Sequence, residues 1–169
     1  MGVSIKAEEI SRASFAPFGD LIVLEGARTF SCNQGRAVRH HDLAPHIDVM
    51  DEGGRAGLSV YRSVASPLPF QVEVMERHPL GSQIFLPLTT DPQSRYLIAV
   101  APIGELRLDA VRAFVVRGQT GVNYLKGVWH LPIVALDQAM DFVTVDRIGS
   151  GSNLDEVRMT QDVRIVVDA

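Results

Sequence analysis

Cysteine and lysine are nearly missing from this 169-residue sequence. Cys32 is the only cysteine. A lone thiol forms no internal disulfide, which excludes a disulfide-stapled scaffold and suits a reducing compartment, so a cytoplasmic protein is expected. Lys6 and Lys126 are the only lysines against 14 arginines. Lysine is the basic side chain that burial can tune into an acid or a base, which draws attention to Lys126. Basic charge is also short. Acidic residues outnumber basic ones by 20 to 16, for a net charge of -4, and a nucleic-acid partner is not expected without a basic face. No apolar run approaches the roughly 18 residues of a membrane span, and residues 1–20 hold no secretory core. A membrane partner is therefore not expected either.

What is present is 46% hydrophobic and 21% charged, the composition of a globular chain. The length fits one domain, 1–169, and a core large enough to fold without a metal. The apolar stretches are short, rich in β-branched residues and broken by Gly, Pro and Asp-Pro. They predict strands at 20–24, 58–64, 71–78, 83–88, 96–101, 113–116, 128–136, 142–146 and 163–168. Helix signals are few. Ser11 caps a short helix over 12–16 that Pro17 and Gly19 stop, and 154–159 reads as one more helical turn. Short links such as Thr89-Thr90-Asp91-Pro92 force consecutive strands antiparallel. An antiparallel chain of this length hides its edges by closing, so the fold expected is mainly β, a small barrel or jelly roll with a few short helices.

Of five histidines, His78 and His130 sit in apolar, strand-like surroundings. Strand alternation points Glu76 and His78 to one face and Arg77 to the other, and a Pro79–Gly81 turn then brings Gln83 close to His78. A second segment, 121–132, leads from a glycine-bounded turn into a strand bearing His130. A carboxylate, an amide oxygen and two imidazoles converging inside a barrel make a set for a divalent transition metal. The competing reading is structural: Glu76 pairs with Arg77 or Arg39 at the surface, and His130 is a hydrogen-bonded core residue. Asp146-Arg147 reads as an ion pair at a strand end. Cys32 reads as inert and His46 as solvent-facing.

The spacing of these segments is similar to the two boxes of cupins. Glu76 stands where the first box has its first His, His78 at the second His, Gln83 at the Glu, and His130 at the His of the second box. Two of the four usual ligands are changed. The strings Glu-Arg-His-Pro-Leu-Gly-Ser-Gln (76–83), Gly-Val-Asn-Tyr (121–124), Val-Trp-His-Leu-Pro (128–132) and Asp-Phe-Val-Thr-Val-Asp-Arg (141–147) resemble the ureidoglycolate lyase family over nearly the whole chain. Two departures stand beside the site: Leu131 where the family can have a second His, and Lys126 where an arginine can occur.

That resemblance implies a cupin-like double-stranded β-helix, or jelly-roll barrel, usually a homodimer. The activity implied is cleavage of ureidoglycolate to glyoxylate and urea in purine and allantoin breakdown, with a divalent metal, nickel most often. It places Glu76, His78, Gln83 and His130 as metal ligands. Chemistry then suggests Glu76, His78, His130 and Lys126 as the catalytic set, Glu76 being the base if it is not a ligand. Arg62, Gln83 and Tyr124 are the residues expected to bind substrate, with Arg62 or Lys126 on its carboxylate and Tyr124 or Lys126 toward the leaving nitrogen. Two alternatives stand beside the lyase: another metal-dependent cupin enzyme, and a non-catalytic small-molecule-binding cupin.

Overall fold

A computed structural model describes residues 2–168. The chain runs through β1 (Val3–Glu9), α1 (Arg12–Phe15), β2 (Gly19–Ile22), β3 (Arg28–Cys32), β4 (Ala37–His41), β5 (Arg55–Ser63), β6 (Phe70–Gln71), β7 (Val74–Arg77) and β8 (Gln83–Pro87). It continues through β9 (Arg95–Ala101), β10 (Arg112–Arg117), β11 (Gly121–Tyr124), β12 (Trp129–His130), β13 (Val134–Ala135), β14 (Met140–Ile148), β15 (Asp155–Arg158) and β16 (Val163–Val166). Single 3-10 turns separate some of these. The larger sheet has the order β15-β7-β12-β9-β10-β1-β16-β6, with β13 also on β9. The smaller has the order β2-β11-β8-β14-β5, and β3 and β4 form a separate hairpin. The two sheets curl around a common interior as a cupin-like barrel, the mainly β fold that the sequence predicts.

The interior explains which strands alternate and which do not. Phe85, Tyr124 and Phe142 from the smaller sheet meet Tyr96, Ile98 and Phe114 from the larger one, all buried. The opposite face of the larger sheet carries a second apolar cluster, with Leu97, Ala99, Val115 and Trp129 under Met75, Leu131 and Ile165. β9 is therefore covered on both sides, and Tyr96 to Ala101 are all buried in one unbroken run. Each large apolar side chain buried in this way contributes about 1.5–3 kcal/mol.

Several sequence expectations change. The pairing is mixed, because β1 runs parallel to both β10 and β16. No short link constrains β1, whose partners lie about a hundred residues or more downstream. The predicted helical turn at 154–159 is instead β15, antiparallel to β7. The strand predicted over 128–136 is β12 and β13, parted at Pro132, which has no N–H to give a ladder. The short helix is present, and in a capping box the Ser11 hydroxyl accepts from Ser14 N while Ser11 N donates to the Ser14 hydroxyl. Asp146 and Arg147 do not pair. Arg147 is buried and donates from Nε to Asp51 O at 2.8 Å and from Nη2 to Ser150 O at 2.8 Å, tying two loops to β14. Gly81 passes so close that a Cβ there would lie 2.7 Å from Arg147 Cβ. No helix among the described residues is long and apolar enough to cross a membrane.

Candidate metal and active site

β7 and β12 pair with His130 directly opposite Glu76, and His78 follows one residue beyond the end of β7 on the Glu76 side. Glu76 Oε1 lies 3.4 Å from His130 Nε2 and 4.0 Å from His78 Nε2. The two imidazole centroids are 5.1 Å apart. One ligand atom from each of these residues falls within 4.8 Å of the others, the only such group of three or more among the described residues.

Backbone carbonyls set the orientation of both rings. His78 Nδ1 donates to Asn153 O at 2.7 Å, and His130 Nδ1 donates to Val128 O at 3.1 Å. A carbonyl only accepts, so each proton sits on Nδ1 and each Nε2 turns its lone pair toward Glu76. Both Nε2 atoms are buried with no hydrogen-bond partner; the Glu76 contact with His130 is close but poorly aligned. Two fixed Nε2 lone pairs and one carboxylate, each ring held from behind, suit a divalent transition metal.

Burial lowers the His130 pKa, outweighing the upward pull of the Glu76 carboxylate. Burial is also the largest influence on Glu76 and acts upward, but the His130 contact and the charges of His130 and His78 together hold its pKa below the ordinary value. At neutral pH Glu76 is thus a carboxylate and the buried His130 a neutral imidazole.

The cluster opens into a cavity of about 330 Å³ walled by Tyr61, Glu76, His78, Gln83, Phe85 and Leu154. A larger, more open concavity of about 580 Å³ lies beside the β3–β4 hairpin, bordered by Arg12, His41 and His46. His46 is exposed there, as expected, yet its Nδ1 is bound to Asp20 at 2.6 Å.

The residues singled out in the sequence fall into two groups. Glu76, His78 and Gln83 line one cavity, and His130 lies buried behind Glu76 with Tyr124 stacked on it. Gln83 pairs with Tyr124 across β8 and β11, and both Gln83 Oε1 and Tyr124 Oη are buried without partners. Burial keeps the Tyr124 hydroxyl protonated far above neutral pH. Arg62 and Lys126 are drawn elsewhere. Arg62 borders the cavity, but its guanidinium forks onto Asp141 at 2.8 and 2.9 Å. Lys126 Nζ is held by Asp48 at 2.8 Å and Asp51 at 2.6 Å, beside a different cavity. Two residues at the site escape the sequence reading. Asn153 accepts a hydrogen bond from His78 Nδ1 on its backbone carbonyl and one from Leu80 N on its side-chain oxygen, and Tyr61 walls the cavity. Asn153 is about 75 residues from its partners, a distance at which no local pattern reports.

A sequence profile of the family described as ureidoglycolate lyase matches residues 3–166. A ureidoglycolate lyase of Burkholderia cepacia is 54% identical over 90% of this chain and 85% of its own. One of Burkholderia mallei (strain NCTC 10229) is 48% identical over 98% and 95% respectively. One of Pseudomonas paraeruginosa (strain DSM 24068 / PA7) is 40% identical over 98% and 96%.

Proposed function

The chain belongs to the ureidoglycolate lyase family, and from that premise we propose that the Glu76–His78–His130 centre cleaves ureidoglycolate to glyoxylate and urea. The observation that carries the reading is the pair of carbonyl-anchored imidazoles aiming unpartnered Nε2 atoms at one carboxylate on the wall of a cavity.

Ureidoglycolate is a carbinolamine bearing a carboxylate. Its hydroxyl loses a proton, the oxygen electrons form the aldehyde C=O, the C–N bond breaks, and the departing nitrogen keeps the pair and gains a proton to give urea. Glu76, His78 and His130 would hold a divalent metal, with Gln83 beside them; imidazole and carboxylate together suit nickel among others. When bound, such an ion would supply a Lewis acid that eases loss of the hydroxyl proton. The chain's own groups do the rest. Glu76 would give such an ion one carboxylate oxygen; its other oxygen takes the hydroxyl proton and returns it to the departing nitrogen, a role typically worth about 10²–10⁴-fold. The Tyr124 hydroxyl, kept protonated by burial, donates a hydrogen bond toward the leaving nitrogen. Arg62 and Lys126, already bound by aspartates, take no part.

We read the whole chain as one domain acting in purine and allantoin breakdown, in a reducing cytoplasm that suits the free Cys32. We also read it as a homodimer. The outer face of β5 and β14 supports this, since Leu58 faces Val145 and Val60 faces Val143 across the pair, and Leu58 and Val60 are exposed. β5 is also a free edge of nine residues. The function is tested by assaying glyoxylate and urea from ureidoglycolate before and after chelation. Equal release of both, lost on chelation and regained with metal, is expected. No release, or ammonia in place of urea, overturns the reading.

A further inference from the structure

The inner face of the smaller sheet carries a row of polar groups outside the triad. β8 sets Gln83 opposite Tyr124 on β11 and Ile84 opposite Val145 on β14. One further step of that antiparallel register puts Asp146 beside Gln83, and Asp146 itself faces Gly57 on β5. Alternation along β14 gives Asp146 the face of Thr144 and Phe142, both fully buried. Gly57, Asp146, Gln83 and Tyr124 therefore form one row across four strands, turned toward the interior. Gly57 adds no side chain to that row, and a Cβ placed there would come within 3.5 Å of Asp146 Oδ1.

These groups share a second property. Asp146 Oδ1, Gln83 Oε1, Tyr124 Oη and Thr144 Oγ1 are all buried and have no hydrogen-bond partner. Buried polar atoms are nearly always paired, so a run of unpaired ones marks where another molecule completes the bonding. Asp146 also reaches the cavity electrostatically. The Tyr61 hydroxyl on the cavity wall has its pKa raised first by burial and then by the charges of Asp146 and Glu76 together.

We propose that Asp146 and Gln83 form a subsite for the ureido end of the substrate, their side-chain oxygens accepting its N–H donors. The proposal rests on the lyase reading and deepens it by assigning the two ends of the substrate. A ureido group, –NH–CO–NH₂, carries three N–H donors, whereas the carboxylate end offers acceptors and one hydroxyl. An aspartate oxygen suits the donor-rich end and repels the carboxylate, so the same residue selects the ureido group and fixes which way round the substrate lies. Asp146 is a specificity and orienting residue; proton transfer stays with Glu76.

Two analogues without the carbinol hydroxyl, and therefore unable to be cleaved, separate this from the chemistry. N-Carbamoylglycine keeps the ureido group and the carboxylate. N-Acetylglycine replaces the terminal NH₂ by a methyl group. Calorimetric titration of the metal-loaded protein is expected to show N-carbamoylglycine binding about tenfold or more tightly than N-acetylglycine, because unmatched acceptors penalise the methyl analogue. In Asp146→Ala that preference should collapse toward equality with N-acetylglycine affinity unchanged. Asp146→Asn, which keeps the volume should the alanine variant fail to fold, should lose at least about threefold of the preference on the same ground. An undiminished preference in the folded variants, no preference in the native protein, or binding of neither analogue overturns the subsite. Failure of the lyase reading shows separately, as absence of glyoxylate and urea from ureidoglycolate itself.

Discussion

His130 lies flat against Tyr124, with ring centroids 4.4 Å apart and planes 10° from parallel. The stack fixes the imidazole plane, the Val128 carbonyl fixes its rotation through Nδ1, and Nε2 is left aimed at Glu76. Three elements of the fold thus converge on one nitrogen. Tyr124 comes from the smaller sheet and Glu76 and His130 from the larger, so the site exists only once the barrel closes.

The first prediction concerns metal. The native protein should bind one divalent ion per chain, and His78→Ala and Glu76→Gln should each weaken binding by about 10-fold or more, as loss of a ligand or its support does. Calorimetry with nickel and zinc on the stripped protein reads this directly. Unchanged affinity in both variants would remove the triad as the ligand set.

The second concerns pH. Burial lowers the His130 pKa, so the folded protein binds its proton less readily than the unfolded chain does. The stability this represents is present above the unfolded value near 6.5 and is lost as pH falls through the folded value. Glu76, also lowered, acts in the same direction at more acidic pH. The melting temperature should therefore fall from pH 7 to pH 5, and fall less steeply in His130→Gln. Parallel curves for the two proteins would contradict the assignment.

The third separates Lys126 from the reaction. Its ammonium bridges Asp48 and Asp51 away from the cluster. Lys126→Met should leave kcat and KM within about twofold and cost at most about 1 kcal/mol, the range of partly exposed ion pairs. A large fall in kcat with an unchanged melting temperature would place Lys126 in the chemistry after all.

A fourth tests assembly. Leu58→Asp combined with Val60→Asp puts charge on the exposed apolar face of β5 and should convert a dimer to a monomer in light scattering. A mass unaffected by both changes would locate the interface elsewhere.

The sequence was readable where chemistry is local. Strand alternation alone put Glu76 and His78 on one side, and the turn at Pro79–Gly81 brought Gln83 into the same cavity. Ser11 declared the one capped helix. It was unreadable where partners are distant or contacts override pattern. β1 has exposed, polar-rich alternation and gains its place only by pairing with β10 and β16. The β3–β4 hairpin is largely exposed and shows no apolar stripe. Asp146 and Arg147 looked like partners because they are adjacent, yet strand alternation sends them to opposite faces of β14. The same long-range closure hid Asn153, whose carbonyl sets the orientation of the His78 ring.

His130 is the residue on which the centre turns. The native protein and His130→Ala should be compared for glyoxylate and urea release from ureidoglycolate, alongside metal content and melting temperature. The centre described here predicts matched release of the two products by the native protein and a kcat lowered by about 10²-fold or more in the variant, which stays folded but loses its metal. A variant with native kcat and native metal content would contradict the account, because every role assigned to the centre passes through that side chain.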